Sequence, residues 1–164
     1  MTRATRLGLL LALAHLLIVV GVYARYVTDR QTLPRVWARA APVDPNLPIR
    51  GRYVRLRIEA AIAADFITSN VRAFSLSATD DGQLVAMPDD TGVPATVAVR
   101  DGVDVARLDE PMAFFIPEHA ADPSQRPPGE ELWVEVSIPG RGAPRPIQLG
   151  VRTNGGAVRP LTIR

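Results

Sequence analysis

Hydrophobic and polar positions follow two rhythms along this chain. From Leu7 to Ala24, LGLLLALAHLLIVVGVYA, no charged residue interrupts an apolar run. From Gly51 onward, apolar and polar residues alternate in short segments closed by glycine, proline, asparagine and aspartate. The first rhythm predicts one long helix. The second predicts strands of a half-buried sheet, whose side chains point to opposite faces in turn.

At 1.5 Å per residue the run from Leu7 to Ala24 spans about 27 Å as a helix, close to the roughly 30 Å hydrocarbon layer of a bilayer. A lone helix also satisfies every backbone polar group within lipid. Its seven leucines outweigh Gly8, Gly21 and His15 on an insertion scale. Arg3 and Arg6 bracket one end, Arg25 and Arg30 the other, and Tyr23 and Tyr26 suit the headgroup belt. Residues 1–6 therefore read as a basic tail and 7–27 as a transmembrane anchor. The rival reading is a cleavable secretory signal, with Val22-Tyr23-Ala24 as a loose small-x-small site. Arginines on the two sides nearly balance, but a short basic tail is the usual start of a segment that stays inside and exports the rest of the chain.

Residues 28–48 read as a proline-rich linker, because Pro42, Pro45 and Pro48 repeat with the period of a polyproline II helix. Leu33, Val36 and Trp37 within it suit a short interfacial helix. Residues 49–164 read as a β domain. Val54, Leu56 and Ile58 alternate with Tyr53, Arg55, Arg57 and Glu59, while the alanines from Glu59 to Ser69 favour a helical turn. Phe74 to Ala78 and Leu84 to Met87 flank a Thr79-Asp80-Asp81-Gly82 turn. Pro94 to Arg100 turns at Asp101-Gly102 into Val103 to Leu108. Met112 to Ile116 has the length of a fully buried strand, and Ala120 to Gly129 that of a surface loop. Leu132, Val134, Val136 and Ile138 form the cleanest alternation; Ile147, Leu149 and Val151 return, and Ala157 to Ile163 makes a last strand. Seven or eight short strands at this spacing predict a small antiparallel sandwich or barrel.

Composition narrows the chemistry. Of the 164 residues, about 115 remain beyond the anchor and linker, enough for one domain with one core. The net charge of +2 comes from interspersed charges, so no basic patch points to nucleic acid. All 19 basic residues are arginine, and the absence of lysine excludes a Walker A lysine, a Ser–Lys dyad and a Schiff-base enzyme. The absence of cysteine removes disulfides, thiol nucleophiles and cysteine zinc sites.

His15 lies mid-anchor, where a polar side chain is costly and is a candidate contact to another membrane helix. Glu118 and His119 could serve as base and orienter, or as half of a metal site, but no second histidine is available to complete a cage. Asp80-Asp81 and Asp89-Asp90 lack the oxygen-ligand spacing of a calcium loop and read as solvated turns. No catalytic, cofactor or metal constellation is expected.

The stretch Pro45 to Ile58, PNLPIRGRYVRLRI, resembles the signature of the GDYXXLXY family of bacterial membrane-anchored proteins. Gly51, Tyr53 and Leu56 occupy its glycine, first tyrosine and leucine, whereas Arg52 replaces its aspartate and Ile58 its last tyrosine. A second block, MAFFIPEHA followed by ELWVEVSIPGRGAPRPIQLGV, resembles that family's aromatic pair and glutamate, here Phe115 and Glu118. The resemblance implies a single-span anchor with an extracytoplasmic β domain and no established activity. The expectation is then a non-enzymatic binding or assembly partner in the bacterial inner membrane, meeting lipid and other integral membrane proteins. Nucleic acid, metal and cofactor play no part in it. The alternatives are a β domain secreted after cleavage near Ala24, or a hydrolase with its site near Glu118 and His119.

Overall fold

A computed structural model of the chain describes residues 2–43, 53–63 and 71–163. The chain forms two compact units, Met1–Leu33 and Pro34–Arg164. The first is helix α1 (Arg3–Thr32). It starts where the Thr2 hydroxyl accepts from the Thr5 amide at 3.2 Å, satisfying one of the open donors of the first turn. It stops at Leu33, whose amide still reaches the Asp29 carbonyl at 3.0 Å, because Pro34 has no amide proton with which to continue the ladder. Apolar side chains surround α1 on all sides and none of them is buried. Arg3–Asp29 is long and apolar enough to cross a membrane.

Among the described residues of the second unit, ten strands form one mainly antiparallel sheet: β1 (Arg35–Val43), β2 (Tyr53–Ile62), β3 (Ala73–Ala78), β4 (Leu84–Pro88), β5 (Val93–Arg100), β6 (Val103–Leu108), β7 (Met112–Phe115), β8 (Glu130–Ser137), β9 (Arg145–Thr153) and β10 (Arg159–Pro160). The order is β10-β9-β8-β1-β2-β4-β3-β5-β6, and β6 returns to pair with β2. Strands β2, β4, β3, β5 and β6 thus close a small circuit, while β1, β8, β9 and β10 extend from it as a wing. The one parallel contact between these strands is β2 with β4. Strand β2 is the hub. One of its edges bonds β1 and then β4, and the other bonds β7 and then β6.

Alternation sorts the side chains as strand geometry requires. Val36, Ala38 and Ala40 of β1 pack with Val54, Leu56, Ile58 and Ala60 of β2 and with Leu132, Val134 and Val136 of β8 in one core. Around the closed circuit the buried residues are often alanine (Ala60, Ala86, Ala95 and Ala106), and such small side chains let a narrow ring of strands close on itself.

Several sequence expectations need correcting. The linker over 28–48 is no tether through its described part: α1 continues through Thr32, and Arg35–Val43 is a strand between β2 and β8. Extended proline spacing suits a strand as well as a spacer, and β8 pairs β1 only as far as Arg39, so Pro42 lies where one ladder edge is unused. Nor do Leu33, Val36 and Trp37 lie in an interfacial helix, since Val36 and Trp37 belong to β1. Of the turn expected over Glu59 to Ser69, Glu59 to Ile62 is instead the end of β2, because β4 and β6 pair it on both sides, and 64–70 lie outside the described residues. Strand β7 is not fully buried: Phe115 is 75% exposed, because β7 pairs with β2 alone and covers the core with one face only. The expected last strand shrinks to Arg159–Pro160, after which the Leu161 amide still donates to the Leu149 carbonyl at 2.8 Å.

Candidate functional site

The same alternation that buries Leu56 and Val134 puts a second set of residues on the opposite face of the sheet. Register aligns them in a row across five strands: Trp133 of β8 faces Arg39 of β1, Arg39 faces Glu59 of β2, Glu59 faces Arg107 of β6, and Arg107 faces Thr96 of β5. Directly opposed side chains on one face lie within contact range, and of these opposed pairs Glu59 and Arg107 form an ion pair.

Glu59 stands in the middle of this row. Its side chain is only 2% exposed, although it stands on the polar face. Oε1 accepts from Arg107 Nε at 3.1 Å and Nη2 at 2.9 Å. Oε2 lies 3.6 Å from Arg100 Nε, too far for a hydrogen bond, and both of these buried atoms lack a hydrogen-bond partner. Beside them Arg39 holds Asp101 at 3.1 Å and Glu131 at 2.6 Å. Glu131 also accepts from Trp133 Nε1 at 3.3 Å. The Arg152 guanidinium stacks 5.2 Å from the Trp133 ring, pinned by the Gly155 and Gly156 carbonyls. The ion pairs form two groups, Arg39 with Asp101 and Glu131, and Glu59 with Arg100 and Arg107.

A cleft of about 110 Å³ opens among these groups, lined by Trp37, Arg39, Glu59, Gln83, Arg100 and Trp133 over a floor of alanines, Leu84 and Val105. Trp37 reaches it because β9 carries glycine at position 150. A Cβ there would stand 2.6 Å from the Trp37 ring. Two larger clefts, about 400 and 460 Å³, lie beside the Pro139–Gly142 turn and beside the Ala120–Arg126 loop. Neither is lined by a buried side-chain polar atom that lacks a partner.

The residues singled out from the sequence divide differently. Tyr53 and Phe115, from the two blocks of the family resemblance, are cross-strand partners with ring centroids 6.2 Å apart at 52°. Leu56 is wholly buried in the core. Gly51 lies outside the described residues. Glu118 and His119 are exposed on the turn that follows β7. His15 Nδ1 lies 2.8 Å from the Leu11 carbonyl of its own helix. Among the described residues no three His, Cys, Asp or Glu side chains gather in a way that could hold a metal ion. Sequence reasoning missed the Glu59 cluster. The signal was present in Trp37 and Trp133, large aromatic rings at positions that alternation assigns to the solvent face. No protein-family model, curated protein or solved structure matches the chain.

Proposed function

We propose that this chain is a single-span membrane-anchored protein of the bacterial inner membrane, with an extracytoplasmic β domain that serves as a non-enzymatic binding or assembly partner. The carrying observation is α1, whose leucines and valines stay exposed around the whole helix circumference. An all-round apolar helix gains nothing from water and is the form a lipid-buried span takes. The resemblance to the GDYXXLXY family supports the same reading, since Tyr53 and Phe115 of its two blocks stack across neighbouring strands. The arginine–carboxylate face with two tryptophans is a surface suited to recognition.

Paired C-terminal fusions test the topology. Alkaline phosphatase should be active and green fluorescent protein dark, with the intact chain in the membrane fraction. The opposite fusion pattern overturns the exported domain. A mature amino terminus at Arg25 overturns the anchor in favour of a secreted domain.

A further inference from the structure

We propose that the open edge of β7 takes an extended segment of a partner polypeptide as an added strand, with a carboxylate opposite Ala113 and an apolar side chain opposite Phe115. The inference deepens the binding-partner reading and rests on it. Strands β6 and β7 follow one another along the same edge of β2. Strand β5 fills the far side of β6 from Ala95 to Arg100, then leaves at Pro94 to pair with β3. The same line beside β7 is open among the described residues, because β7 pairs with β2 alone. Its outward-turned N–H and C=O groups are a template for one more strand.

The residues beside this edge define what such a strand carries. Ala113 and Phe115 are exposed on the outer face of β7, while Met112 and Phe114 pack against the core. Phe115 offers an apolar ring, tilted against Tyr53. Arg55 stands opposite Ala113, and Arg57 is the next residue on the same face of β2. Among the described residues neither of these arginines meets a carboxylate, although Arg39, Arg100 and Arg107 all do. An added strand lies two strand spacings, about 10 Å, from β2. Alanine at position 113 leaves the long Arg55 side chain a clear path over β7 toward it. Residues two apart in a strand share a face, so a carboxylate two residues from an apolar group meets Arg55 and Phe115 together. A second copy of β7 would instead bring another pair of arginines to the edge, with no carboxylate for either pair. A lipid phosphate is anionic but has no ladder of N–H and C=O groups with which to pair a strand edge.

The full chain in phosphatidylcholine nanodiscs is titrated with dye-labelled Thr-Leu-Thr-Glu-Thr-Leu-Thr, which presents leucine, glutamate and leucine on one face in either strand direction. Anisotropy should rise to saturation. The same peptide with arginine in place of glutamate should bind about fivefold more weakly, since a like-charge contact replaces one exposed ion pair. Amide exchange within Met112–Phe115 should slow by about threefold or more when the glutamate peptide saturates. Arg55→Glu should invert the preference, so that the arginine peptide becomes the tighter of the two. The comparison of the two peptides on the unaltered chain holds even if that variant misfolds. Equal binding of the two peptides, or unchanged exchange in β7, overturns the proposal. Binding lost when phosphatidylglycerol replaces phosphatidylcholine assigns the arginines to lipid headgroups and overturns it too. No saturable binding, with the alkaline phosphatase fusion active, refutes the β7 site and leaves the anchor reading standing.

Discussion

Leucine meets opposite fates in the two units of this protein. On α1, Leu10 and Leu17 are each 62% exposed, whereas Leu56 and Leu149 of the β domain are 0% and 1% exposed. Burying one such side chain is worth about 1.5–3 kcal/mol. The β domain collects that gain from its own residues, through strands that cover one another. Helix α1 collects none of it from its own unit, so its favourable surroundings have to come from outside. Apolar content alone therefore does not define a core; what defines it is whether the chain supplies a second layer.

The sharpest way to break this contrast is truncation. A chain starting at Pro34 loses the exposed helix but keeps β1, and should unfold in one cooperative thermal transition. A chain starting at residue 49 loses β1 and with it both the pairing to β2 and the only link between β8 and the hub among the described strands. It should show no cooperative transition and no near-UV circular dichroism. Next in size is Leu56→Ala, expected to cost about 3–4 kcal/mol in urea unfolding of the β domain, because a cavity opens in a packed layer. Leu10→Ala in the full chain should leave that unfolding unchanged.

Smaller effects refine the picture. Phe115→Ala removes the ring that stacks on Tyr53 and should cost about 1 kcal/mol, since most of Phe115 is already in solvent. His15→Leu should lower recovery of co-purifying membrane proteins about threefold, the roughly 0.6 kcal/mol of an average interhelical hydrogen bond. Unchanged recovery would mean that the bond to Leu11 is all the imidazole does. The smallest effect belongs to the turn at Asp89. The Thr91 amide and then the Thr91 hydroxyl donate to its carboxylate and hold its pKa below the usual 3.8. A lowered folded-state pKa adds stability that is present above 3.8 and lost as pH falls through the folded value. Asp89→Ala should therefore lower the neutral plateau slightly and flatten the acid limb, the two stability profiles converging once pH falls below the folded value.

Much of the β domain was legible because alternation and turn chemistry are local. The hairpins at Thr79–Gly82 and Asp101-Gly102 formed where aspartate and glycine marked them, and β8 followed its alternating valines. Strand β1 was hidden. Its buried positions are Val36 and two alanines, too small to outweigh the prolines that come after them. Its partners lie about twenty residues onward in β2 and about a hundred onward in β8. Glu59 was hidden for a related reason. Nothing in YVRLRIEAAI distinguishes it from the arginines beside it, until Arg107 from β6 and Arg100 from β5 arrive to close over it.

Residue order and composition were enough to specify an apolar helix near the amino end, a β domain after it, and the absence of lysine and cysteine chemistry. Those are properties of neighbouring residues and of residue counts, which no fold can alter. Strand pairing in three dimensions was needed to make β1 complete the sheet, to make β2 its hub, and to bury Glu59 among arginines. Each of these depends on which strand meets which, and register is set by contacts between residues far apart in the chain.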